Sequence, residues 1–83
     1  MRVQVLYFAG LREALGLAGE TVEAPAGVAT VGQLRDWLAA SGGRAALTTA
    51  RNLRCALNQE MTNTETALAD GDEVAFFPPV TGG

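Results

Sequence analysis

The pattern of this chain predicts a two-layer α+β domain: one main helix packed on a mixed sheet of four or five strands. Three stretches carry that expectation. Residues 2–8, RVQVLYF, alternate Val3, Val5 and Tyr7 with Gln4, Leu6 and Phe8, and β-branched and aromatic side chains dominate, as in a strand. Residues 30–43, TVGQLRDWLAASGG, repeat apolar side chains at helical spacing between a capping signal and a double glycine. Residues 70–77, DGDEVAFF, set the turn signal Asp70-Gly71 ahead of a second alternating run.

Apolar side chains on both faces of the first strand predict a central strand covered at least partly on each side. LREALG (Leu11–Gly16) spaces Leu11 and Leu15 one helical turn apart, and Gly16 is placed to cap a short helix. GETVEA is a second strand, ended by Pro25 and Gly27. In the main helix Thr30 and Gln33 form a capping-box pair. Val31, Leu34 and Leu38 make its buried stripe, Trp37 widens it as a core anchor, and Gly42-Gly43 stop it. RAALTTARN is either a helical turn or irregular. LRCALN sets Leu53, Cys55 and Leu57 against Arg54, Ala56 and Asn58 as a half-buried strand, and NQEMTNTETAL reads as polar and turn-rich. The final strand alternates Val74 and Phe76 with Ala75 and Phe77.

Eighty-three residues make one domain with a small core. A net charge of −3 and six scattered basic residues argue against a nucleic-acid partner, which calls for a basic stripe. All six are arginines, so no lysine amine is present for Schiff-base chemistry. A single cysteine excludes an internal disulfide and fits a cytoplasmic, reducing setting. No apolar run approaches the length of a membrane span.

Within the predicted body, chemistry is hard to build. No histidine is present to serve as base or metal ligand. Cys55 falls in the inward register with Leu53 and Leu57, which makes it structural. Asp70, Asp72 and Glu73 belong to a turn and lack the ligand spacing of a calcium loop, so no metal site is expected. The hydroxyls have no partnered base, and GGRAA closes a helix instead of opening one. Attention therefore falls on residues 78–83, PPVTGG. Pro78 and Pro79 stiffen the exit from the last strand, and Val80, Thr81, Gly82 and Gly83 narrow to a tip without side chains. Extended, the segment reaches roughly 20 Å from the body, enough to enter a narrow tunnel in another protein. Its reactive group is the α-carboxylate of Gly83. The expected organisation is a domain over residues 1–77 and an extended tail over 78–83.

The stretches VLYFAGLREALG, ALNQEM and LADGDEVAFFPPVTGG closely resemble the small subunits of molybdopterin synthases, a family of ubiquitin-like sulfur carriers. Relatives often carry serine where this chain has Thr81. The resemblance implies a β-grasp (ubiquitin-like) fold: an N-terminal hairpin, a helix across the sheet, and a last strand beside the first. It implies a subunit with no catalytic site and no bound cofactor. An adenylyltransferase resembling ubiquitin-activating enzymes would use ATP to adenylate Gly83. A sulfur donor protein would then convert it to a thiocarboxylate, and the tail would enter the large synthase subunit to deliver sulfur to cyclic pyranopterin monophosphate. Ordering six tail residues costs roughly 6–12 kcal/mol, so an apolar docking patch near the tail's root is expected to offset it, formed by Phe8, Met61 and Phe77. The competing reading by pattern alone is that some of these residues are core. Three alternatives stay open: a related carrier for thiamine, cysteine or tRNA thiolation; a protein modifier joined through Gly83; and an interaction domain with an inert tail.

Overall fold

A computed structural model describes residues 1–49 and 52–79. Its elements run β1 (Arg2–Tyr7), α1 (Ala9–Leu15), β2 (Gly19–Glu23), α2 (Val31–Ala40), α3 (Ala46–Thr49), β3 (Arg54–Leu57), β4 (Glu60–Thr62) and β5 (Glu73–Phe77). The five strands form one sheet in the order β2-β1-β5-β3-β4. β5 lies parallel to β1 and antiparallel to β3, and the two outer pairs, β1–β2 and β3–β4, are antiparallel. The mixed sheet, crossed on one face by α2, is the β-grasp arrangement expected.

Alternation within the strands decides what the helices cover. Val3, Val5 and Tyr7 of β1 and Val74 and Phe76 of β5 point inward and are at most 1% exposed. They share one core with Leu11 of α1, Val31, Leu34 and Leu38 of α2, and Leu47 of α3. Trp37 is half-buried and packs against that core at its edge. The main helix begins as read: Gln33 N–H donates to Thr30 Oγ1 at 3.2 Å, and Thr30 N–H donates back to Gln33 Oε1 at 3.2 Å.

Three local expectations need correction, and the open choice for RAALTTARN is decided in favour of a helical turn. The short helix begins at Ala9, two residues before Leu11, and its N-cap is Phe8, which has no capping hydrogen bond. Ala9 takes a left-handed φ of 55°, an unfavourable conformation for alanine that no pattern announces. Gly16 does cap the helix, at φ 68°. RAALTTARN contains the short helix α3, anchored by Leu47, while its residues 50 and 51 lie outside the described ones. NQEMTNTETAL hides β4, entered through a two-residue turn in which Asn58 and Gln59 both have positive φ. Finally, the sequence predicted cover on both faces of β1, whereas no helix among the described residues covers its second face, where Leu6 is half-buried and Phe8 exposed.

The loop after α2 is tied to the sheet by a charged cluster. Tyr7 Oη donates to Glu20 Oε2 at 2.7 Å, and Arg44 Nε donates to the same oxygen at 2.6 Å. Arg44 Nη2 donates to Glu20 Oε1, making the contact bidentate. The guanidinium, helped by the tyrosine hydroxyl, holds the Glu20 carboxyl below its usual range despite partial burial. Burial, with the Glu20 hydrogen bond and charge adding to it, drives the Tyr7 phenol upward.

Candidate functional site: an open apolar groove at the root of the C-terminal segment

The outward residues of the strands lie in rows across the sheet. Backbone register pairs Leu6 of β1 with Gly19 of β2 and with Ala75 of β5. Ala75 pairs with Ala56 of β3, and Ala56 pairs with Met61 of β4. One row further along, Phe77 pairs with Arg54, and Phe8 N–H donates to Phe76 O. The opposite end of the same face is polar, with Gln4, Thr21, Arg2 and Glu23. Apolar surface is thus gathered at the end of the sheet from which the chain leaves β5.

Side-chain size shapes that surface. Ala56 and Ala75 form a low floor, while Leu6, Phe8, Phe77 and Pro78 rise around it, leaving an open depression of about 560 Å³. Gly19 keeps the neighbouring edge low: a Cβ there would meet Val5 O at 2.9 Å and Leu6 Cδ2 at 3.0 Å. Phe8 is 47% exposed and Met61 63% exposed, and both are on this outer side of the molecule. An uncovered apolar cluster of this kind on a small domain is a candidate interaction surface.

The predicted site residues fall into three sets. Phe8 and Phe77 line the depression, and Met61 flanks it by register with Ala56. Pro78 lines it too, and Pro79 lines a smaller depression of about 340 Å³ beside Asn52, Leu53 and Arg54. Val80, Thr81, Gly82 and Gly83 lie outside the described residues. Sequence reasoning overlooked the floor, Ala56 and Ala75, and the wall residue Leu6. The available signal was the alternation itself, which puts Leu6 with Phe8 and Ala75 with Phe77.

The residues set aside as structural behave as such. Cys55 is buried, its thiol is pushed up by burial, and its Sγ donates to Thr62 O at 3.5 Å. Asp70 Oδ1 accepts from Arg2 N at 2.7 Å, and Asp72 accepts from Ala69 N at 2.7 Å and from Asn58 Nδ2 at 3.0 Å. Those carboxylates build a turn. No cluster of three or more His, Cys, Asp or Glu side chains suited to a metal ion occurs among the described residues. No helix among them is long and apolar enough to cross a membrane.

Comparison with known proteins places this geometry in a family. The chain is 45% identical over 82 residues to the molybdopterin synthase sulfur carrier subunit of Escherichia coli, covering 98% of this chain and 99% of that one. Its fold matches the crystal structure of SAMP1 from Haloferax volcanii with a TM-score of 0.80 and 33% identity, over 100% of both chains. It also matches, over 100% of both chains, a chain of the complex of subunits 1 and 2 of molybdopterin-converting factor from Helicobacter pylori, with a TM-score of 0.68 and 28% identity. The ThiS family model matches residues 5–83. A β-grasp domain with this sequence relationship along nearly its whole length belongs to the ThiS family.

Proposed function

We propose that the chain is the sulfur-carrier subunit of a molybdopterin synthase, and that its working atom is the carbonyl carbon of Gly83. The observation that carries the reading is a continuity. Phe77 and Pro78 line the apolar groove, and the chain passes from them through Pro79 directly into the segment ending in Gly-Gly. A protein that buries the groove also receives the tail. The groove supplies binding energy without chemistry, at about 25 cal/mol per Å² of apolar surface covered, and that offsets the cost of ordering the tail.

The chemistry then needs nothing from the carrier but its carboxylate. In an ATP-dependent adenylyltransferase, a Gly83 carboxylate oxygen attacks the α-phosphorus and pyrophosphate leaves. Hydrosulfide supplied by a donor protein adds to the carbonyl carbon of the acyl-adenylate, AMP leaves, and loss of a proton gives the thiocarboxylate. Residues 78–83 act as the tail and residues 1–77 as the body that docks. On the large synthase subunit the tail presents this sulfur to cyclic pyranopterin monophosphate, and the catalytic side chains belong to that subunit. Burial of Cys55 supports the same account, because the one thiol of the chain is withdrawn from sulfur exchange.

Two measurements test the proposal. Accurate intact mass and C-terminal fragmentation of protein taken from cells should show one oxygen replaced by sulfur at Gly83. Removing Gly82 and Gly83 should abolish sulfur transfer while leaving the circular dichroism spectrum unchanged; retained transfer would end the proposal. A second reading has its own support, since the Haloferax volcanii neighbour is a small archaeal modifier protein. If this chain modifies other proteins, activation should yield higher-mass covalent adducts ending its tail on target amines.

A further inference from the structure

Arg54 differs from the other basic side chain of the strands. It is exposed at the start of β3, and its register partner on β5 is Phe77, the residue at the root of the tail. Residues opposite one another on neighbouring strands share a face, so Arg54 stands on the groove side of the sheet. It also lines the side depression with Pro79. Arg2, the other arginine on the strands, is engaged: its Nε lies 2.9 Å from Glu23 Oε1. Among the described residues, Arg54 forms no ion pair, although the chain carries a net charge of −3.

We propose that Arg54 is a specificity-determining contact for the large synthase subunit, pairing with a carboxylate at the rim of the surface that covers the groove. This rests on the docking reading given above. Protein interfaces place an apolar centre inside a polar rim, and arginine is enriched in them relative to the rest of the surface. Arg54 occupies such a rim position, one row from the Ala56–Ala75 floor and beside the exit of the tail. Its occupant is a protein carboxylate and not the phosphate of the adenylate. Where Val80 to Gly83 extend into a partner, as the proposed function requires, they carry that phosphate up to about 13 Å beyond Pro79. The large subunit is the partner chosen because a structural relative of this chain was solved as a complex of subunits 1 and 2. The pair works mainly on encounter: a rim charge steers association and fades as salt rises.

Stopped-flow association of the full chain with the large subunit tests this, using wild type, Arg54→Glu, Arg54→Leu and Phe77→Ala across a salt series, with circular dichroism confirming the fold of each. Arg54→Glu should slow association on the order of tenfold at low ionic strength, Arg54→Leu should slow it less, and both differences should close at high salt. Wild-type rates for both Arg54 variants, with Phe77→Ala impaired, would overturn the role of Arg54 and leave the docking face standing. An equal loss in both Arg54 variants, independent of salt, would also overturn it, since shape and not charge would then be responsible. If Phe77→Ala binds like wild type as well, the docking reading itself is lost.

Discussion

The two faces of β1 and β5 are made by neighbouring residues of the same strands and have opposite fates. Inward, Val5, Tyr7, Val74 and Phe76 are at most 1% exposed beneath the helices. Outward, Leu6, Ala75 and Phe77 line a depression that no described element fills. Both faces are apolar, so hydrophobicity alone does not tell core from interface. Size does: the inner face is filled by large side chains, whereas the outer one is hollowed by Ala56 and Ala75. The lesson is that a second apolar face on a strand can be a shape kept for another molecule.

The sharpest way to break that comparison is to truncate adjacent phenylalanines. Phe76→Ala should cost about 3–5 kcal/mol of folding stability in urea melts, because it empties a buried aromatic site. Phe77→Ala should cost about 1 kcal/mol or less, yet weaken large-subunit binding about tenfold or more. Equal stability losses would mean that Phe77 is core after all. A smaller effect is expected where the sheet is tied to the loop after α2. Glu20→Gln should destabilise by about 1–3 kcal/mol at neutral pH, by weakening the charged hydrogen bonds to Arg44. The Glu20 carboxyl is held below its ordinary value of 4.5, so its contribution is present above that pH and is lost as pH falls through the folded-state value. Wild type and Glu20→Gln should therefore converge in acid; a gap that stays constant would show that ionisation is not what matters. The smallest effect belongs to Cys55. Its buried thiol should react with an aromatic disulfide only upon unfolding, and Cys55→Ala should cost about 1 kcal/mol while leaving sulfur loading intact.

Much of this was legible in the sequence, because the local signals are physical. The Thr30–Gln33 capping box, the left-handed Gly16 cap and the alternation of β1 and β5 are contacts between near neighbours, and each is observed. What escaped notice depends on distance or on unusual backbone. Glu20 and Arg44 meet Tyr7 from far along the chain, so no window contains the cluster. The turn into β4 uses Gln59 at a left-handed position where glycine is the customary signal. The start of α1 rests on Ala9 in the same rare region, with no polar cap to announce it. For the site, alternation named Phe8 and Phe77 but was silent on which face stays open. Only the positions of α1, α2 and α3 settle that. The concavity was equally invisible, because two alanines mean a groove only once they stand side by side on β3 and β5.

The order of the strands has a consequence for how the molecule is made. β5 occupies the middle of the sheet, yet it is synthesised after the other four. Until it leaves the ribosome, β1–β2 and β3–β4 are separate ribbons without a hydrogen-bonded bridge, and two-stranded ribbons alone are marginal in water. Ala75 and Phe77 also arrive with β5, so an interrupted chain presents neither a closed sheet nor the apolar groove. Translation must reach the central strand before any recognisable carrier exists, which makes completeness of the polypeptide a precondition built into its topology.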